Sequence, residues 1–196
     1  MFNHSLYFYI INAFILYYIH SQAKEFYNKR QLAGKTVPKI YDLGHKMLPD
    51  LSMKTRLKDG LVLTPYILLI ILSLIYGKEF MLKNTFYFLI IFIIRWFTSS
   101  ITILPKDKNC DDTKYTIKNL LLGNCYEKIF SGPFSNMLIL SFIILHYNTN
   151  YNNYLIIINI IYGLLLLMTR LNYSIDIIIS IIVVYSIITL VPYQTI

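Results

Sequence analysis

The chain is poor in charge and in cysteine. Asp, Glu, Lys and Arg supply 14% of its 196 residues, against about 25% in ordinary soluble domains, which argues against a soluble cytosolic protein. Two Cys are too few for the disulfide framework of a small secreted scaffold. Without His nearby they are also too few for a structural zinc site. There is no Gly-rich phosphate loop, no zinc-ligand spacing and no internal repeat. What fills the chain instead is apolar. Hydrophobic residues make up 56%, with 18 Tyr, 12 Phe and 34 Ile. That wealth of aromatic and β-branched residues excludes disorder.

The net charge of +8 invites a nucleic-acid reading, but its placement argues against one. Nine of the 18 Lys and Arg fall between Lys24 and Lys58, and five more between Lys106 and Lys128. Only Lys78, Lys83, Arg95 and Arg170 lie elsewhere. Basic loops between apolar spans are common in membrane proteins, where they meet lipid headgroups. No nucleic acid is expected as a partner.

Six apolar segments stand out: Leu6–Ile19, Leu61–Tyr76, Phe86–Leu104, Phe134–Tyr147, Tyr154–Met168 and Ile175–Val191. A helix needs ~20 residues, within a range of ~17–25, to cross the hydrocarbon core. The third and sixth meet this outright; the others meet it once polar residues at their ends reach the interface. The segments are continuously apolar, not alternating, which excludes a transmembrane β-barrel. The expected fold is all-α, a polytopic membrane bundle of about six transmembrane helices in a single domain. Ser21-Gln22-Ala23 after the first segment has the small-residue pattern of a signal-peptidase site. No Lys or Arg precedes that segment, so a retained first helix is the expectation. Residues 20–60 and 105–133 are read as long loops, 77–85 as a short turn, and 146–154 as an uncharged tether.

Some polar residues are out of place in such spans. Arg95 sits within the third segment, with Ser99 and Thr102 on its helix face at spacings of four and three. A charge there costs at least ~2.5–3.5 kcal/mol unless paired or hydrated. One reading is a polar face for an anionic group such as a phosphate; the other is a shifted span in which Arg95 reaches the interface. Asp176 opens the sixth segment and needs a partner at that depth. It either joins a surface-level ion pair, with Arg170 on the other flank of the turn, or orients a group four residues back, Asn172. Ser131-Gly132-Pro133 reads as a loop-to-helix entry, with Pro tolerated in the first turn.

Taken in order, four stretches resemble the motifs of the sphingomyelin synthase and ceramide phosphotransferase family, a branch of the type 2 lipid phosphate phosphatase superfamily. They are VPKIYDLGHKMLPDL (37–51), RWFTSSITILPKDKNC (95–110), GNCYEKIFSGPF (123–134) and RLNYSIDIII (170–179). The resemblance covers roughly residues 38–190. It implies transfer of a phospho-alcohol headgroup from a glycerophospholipid to ceramide, with membrane phospholipid and a ceramide-like lipid as partners, a homo-oligomer being compatible. In the family a His in the last motif attacks phosphorus, an Asp four residues later orients it, and a second His, in a Ser-Gly-His motif, protonates the leaving alkoxide. No cofactor or metal is implied.

Here the Ser-Gly-His motif reads Ser131-Gly132-Pro133 and the nucleophile position holds Asn172, while Asp176 is retained. An amide is neither a useful nucleophile nor a base near neutral pH, and Pro has no side-chain proton to give. The resemblance therefore implies a protein that keeps the fold, has lost the chemistry, and retains lipid binding. Substrate contacts fall to Arg95, Ser131, Gly132, Arg170, Asp42 and His45. Of the four His, His45 lies inside the first motif; His4, His20 and His146 lie away from the motifs. An active enzyme with a rearranged site, using His45, is the second reading. A membrane scaffold unrelated to lipid chemistry is the third.

The family places the motif loops outside the cytosol, in the Golgi, the endoplasmic reticulum or the plasma membrane. The Lys and Arg bias predicts the opposite side. Long loops translocate with weak regard to charge, so the family orientation is the expectation. Cys110 and Cys125 match family Cys positions, and in an oxidising lumen they would pair. A disulfide closing a loop of about 15 residues is worth ~3 kcal/mol.

Overall fold

The computed structural model describes residues 41–101 and 130–191. The first apolar segment, Ser21-Gln22-Ala23, Thr102, Cys110 and Cys125 lie outside the described residues. Within them the regular structure is helical: α1 (Leu43–Met47), α2 (Thr55–Tyr76), α3 (Lys78–Ile101), α4 (Gly132–Tyr147), a 3-10 turn (Thr149–Tyr151), α5 (Asn152–Met168) and α6 (Ser174–Leu190). The last five apolar segments each correspond to one of α2 to α6.

Among the described residues, two helical stretches are long and apolar enough to cross a membrane. Arg56–Tyr76 has 21 residues at mean hydropathy 2.0, and Thr149–Met168 has 20 at 1.6. At 1.5 Å per residue each is about 30 Å long. Gly132–Tyr147 and Ser174–Leu190 are shorter apolar helices.

Residues 77–85 are not the turn expected from their polarity. The whole break is Gly77, at φ 84°, whose N–H donates to the Ser73 carbonyl over 3.0 Å. Only Gly takes that left-handed conformation without a steric penalty. Helix resumes at Lys78 because the next residues favour it. Lys83 pairs with Glu79 at 3.1 Å, one turn apart, and the Asn84 amide donates to the Phe80 carbonyl over 2.9 Å. Hydrophilic residues marked the edge of an apolar run, not the end of a helix.

α4 is the centre of the bundle and packs against α2, α3, α5 and α6. Its first ten residues but one are buried, which suits a helix apolar on every side. Two clusters surround it. The larger joins Phe80, Tyr87, Phe88 and Ile91 of α3 to Ile139, Leu140 and Ile143 of α4 and Val184 and Ile187 of α6. The smaller joins Leu61, Phe134, Met137, Tyr162 and Leu166. Gly163 allows the second: a Cβ there would come within 3.1 Å of the Phe134 ring. Small residues at such points let helices approach closely.

The contacts fix the helix directions. Arg95 of α3 lies beside Gly132, while Phe80 stacks near Tyr147. Tyr162 of α5 meets Phe134 and the Leu61 carbonyl. Thus α2, α4 and α6 begin, and α3 and α5 finish, at the same end of the bundle. Every motif residue that falls within the described segments gathers there.

Candidate functional site

The end of α5 sets the geometry. Arg170 stands at φ 57°, in the left-handed region. Its N–H donates to the Leu167 carbonyl over 3.0 Å, and the Leu171 N–H donates to the Leu166 carbonyl over 3.1 Å. This is the Schellman closure, whose left-handed position is usually Gly. Arg occupies it at some conformational cost, and the side chain gives the reason. Arg170 Nη2 donates to the Leu48 carbonyl over 3.1 Å, and Nε lies 3.6 Å from Asp50 Oδ2. Arg170 is thus engaged with residues 48–50.

The tight turn delivers Asn172 and Tyr173 to the start of α6. Asp176 is fully buried. Its Oδ2 accepts from the Tyr173 N–H over 2.7 Å and from Asn172 Nδ2 over 3.3 Å. A carboxylate at a helix start satisfies N–H groups that have no helical partner and sits well in the helix dipole. Asp176 is thus hydrogen-bonded to the residue four positions back, Asn172.

Asn172 is also buried and is held at both ends of its amide. Ser131 Oγ donates to Asn172 Oδ1 over 3.0 Å. The amide nitrogen therefore faces Asp176 and the oxygen faces Ser131. Asn172 is the middle member of a Ser131–Asn172–Asp176 chain of buried side chains.

Ser131 caps α4, its hydroxyl accepting from the Phe134 N–H over 3.3 Å. Its own N–H donates to Ser180 Oγ over 3.1 Å, and Ser180 Oγ lies 2.7 Å from the Asp176 carbonyl. Gly132 follows, and Arg95 lies across it. A Cβ at Gly132 would come within 2.6 Å of Arg95 Nη1 and 3.4 Å of its Cζ. Arg95 is 7% exposed, turned into the bundle against the start of α4. Pro133 is buried at the second position of α4; the residue of this tripeptide that reaches Asn172 is Ser131.

The first motif lies over the same turn. Asp42 Oδ2 accepts from the Ser174 N–H over 2.7 Å, and Oδ1 accepts from the Ser174 hydroxyl over 3.0 Å and the His45 N–H over 2.8 Å. Partial burial pushes the Asp42 carboxyl up, but those hydrogen bonds and the nearby His45 outweigh it and hold it below the usual 3.8. Gly44 N–H donates to Ser174 Oγ over 3.2 Å. His45 Nε2 lies 2.7 Å from the Asn172 carbonyl oxygen, and its ring rests 5.1 Å from that of Tyr173. The Leu51 N–H closes the strap onto the Met168 carbonyl over 2.8 Å.

The fold therefore brings Asp42, His45, Arg95, Ser131, Gly132, Asn172 and Asp176 to one end, with Arg170 on the strap side of the turn. Sequence reasoning missed Ser174 and Ser180 as bridges. Ser180 had a signal, its i+4 spacing from Asp176; Ser174 had none short of the pairing with Asp42. No group of three or more His, Cys, Asp or Glu able to hold a metal ion occurs among the described residues. No family model, curated protein or solved structure matches the chain.

Proposed function

We propose that the chain is a multi-pass integral membrane protein of sphingomyelin-synthase-like architecture that binds phospholipid and has lost headgroup transfer. One observation carries the reading. The stretches that resemble the family's motifs lie far apart in sequence, and their residues Asp42, Arg95, Ser131, Gly132, Asn172 and Asp176 meet at one end of the bundle. The amide of Asn172 stands where the resemblance expects an attacking imidazole, with the orienting carboxylate of Asp176 behind it. An amide cannot form a phosphoryl intermediate, so the arrangement keeps position without the nucleophile. The buried guanidinium of Arg95 is the group suited to a phosphate.

The outer surface favours the membrane setting. Ile67, Ile70, Ile71 and Leu74 on α2, and Ile156, Ile157, Ile160 and Ile161 on α5, are exposed. In water that would be an aggregation hazard; against lipid it is the ordinary outer face of a spanning helix. With α3 and the shorter α4 and α6, the described residues offer five of the about six spans that this reading calls for.

The test is a transfer assay on full-length protein in lipid nanodiscs, with phosphatidylcholine, phosphatidylethanolamine or phosphatidylinositol as donor and labelled ceramide as acceptor. The expected result is no product, with phospholipid bound and binding weakened by Arg95→Gln. Product from the natural chain contradicts the reading. It would favour the second reading, an active rearranged site, for which the placement of His45 Nε2 2.7 Å from the Asn172 carbonyl is the supporting observation. His45→Ala would then abolish turnover.

A further inference from the structure

The strap before α2, residues 41–54, ties up its carboxylates: half-buried Asp42 accepts from Ser174 and the His45 N–H, and exposed Asp50 accepts from the Ser52 N–H and lies 3.6 Å from Arg170 Nε. Lys46 and Lys54 are exposed, as is Arg56 in the first turn of α2. Beside them stand large apolar side chains that the described residues leave uncovered: Leu43 is 58% exposed, Met47 75% and Met53 83%. No residue of α1 is buried. The strap is held by hydrogen bonds to the α5–α6 turn, while its apolar side chains contribute little to the protein's interior.

Apolar side chains among Lys and Arg are the composition of segments that lie in the headgroup layer, apolar groups dipped toward the acyl boundary and cations at the surface. The strap's position fits. It crosses the end where α2, α4 and α6 begin, the level at which apolar helices give way to water. Each Lys or Arg near an anionic lipid surface strengthens attachment by about fivefold; Asp42 is bound to Ser174 and Asp50 is paired with Arg170, so Lys46, Lys54 and Arg56 set the charge of the outer face.

We infer that the strap is an interfacial anchor that selects anionic phospholipid in the leaflet at the site end of the bundle. The inference rests on the membrane reading above and adds to it a surface and a lipid class, separate from the Arg95 site.

The experiment uses the full chain with its single Trp replaced (Trp96→Phe) and Met53→Trp introduced, in nanodiscs of phosphatidylglycerol and phosphatidylcholine. One lipid at a time carries brominated acyl chains, which quench a nearby indole. Ile157→Trp on α5 is the control, and Met47→Trp is a second strap reporter should the first misfold. The expected result is quenching of the strap reporter, stronger from brominated phosphatidylglycerol than from brominated phosphatidylcholine at equal fraction. The preference should disappear in the triple variant Lys46→Glu, Lys54→Glu, Arg56→Glu. A strap reporter untouched by either lipid while Ile157→Trp is quenched overturns the anchor and leaves the membrane reading standing. Equal quenching by both lipids overturns the anionic selection. If Ile157→Trp is also unquenched, the membrane reading and the anchor fall together.

Discussion

The two ends of the bundle are held by different chemistry. At the far end, Tyr76, Phe80 and Tyr147 form a ring cluster, with centroids 5.3 Å apart for Tyr76–Phe80 and 4.8 Å for Tyr76–Tyr147. At the site end, buried Ser131, Asn172, Asp176 and Ser180 are joined by hydrogen bonds, and the strap is stitched over them. Aromatic packing is tolerant of its surroundings. A buried polar network is stabilising only when its members are satisfied, and an apolar core would be the simpler way to join helices. The polar end is therefore where a role beyond stability is to be sought.

The sharpest separation of the two ends comes from removing the fully buried Phe80. Phe80→Ala should lower stability by about 3 kcal/mol, read by thermal unfolding in detergent, while phospholipid binding per folded molecule stays unchanged. Loss of binding in that variant would break the distinction. Asp176→Ala acts at the other end. It leaves the Tyr173 N–H and the Asn172 amide without their acceptor, and should cost about 2 kcal/mol together with phospholipid binding.

A third comparison separates site geometry from stability. Gly132→Ala forces the end of the Arg95 side chain to shift, because the new Cβ would lie 2.6 Å from Nη1. It should weaken phospholipid binding by about tenfold, the worth of one charge-assisted hydrogen bond, with a smaller effect on unfolding. At the turn, Arg170→Ala should be less stable than Arg170→Gly by about 1 kcal/mol. Both lose the ties to Leu48 and Asp50, but only Gly escapes the left-handed penalty.

The smallest effect is one of pH. The Asp42 carboxyl is held below 3.8 in the folded protein, so its contribution is complete at pH values above 3.8 and lost as the pH falls through its lowered folded value. Hydrogen exchange of residues 42–51 should stay slow from pH 8 down to about 5 and quicken only in stronger acid. Asp42→Asn should show quick exchange throughout that range.

Much of this bundle was legible because long apolar runs have few alternatives. Leu61–Tyr76 and Tyr154–Met168 read as helices with no structure in hand. The boundaries were not legible: Lys78–Thr85 is polar enough to imitate a turn, yet Gly77 alone makes the break. In the site, Asn172 and Asp176 could be paired from their i+4 spacing, and Arg95 from its charge in an apolar run. The strap could not be read locally, since Asp42 and Ser174 are 132 residues apart and a lone Ser in an apolar helix start signals nothing. Arg170 was legible as the cation that opens the stretch 170–179; its left-handed backbone and its ties to the strap are products of the turn.

The function we propose has the scaffold for headgroup transfer kept and its chemical groups gone. The most direct measurement returns them. Pro133→His and Asn172→His together, in full-length protein in nanodiscs with phosphatidylcholine and labelled ceramide, should produce labelled ceramide phosphocholine, with diacylglycerol released, where the natural chain produces none. A double variant that folds, binds phospholipid and yields no product would contradict the claim.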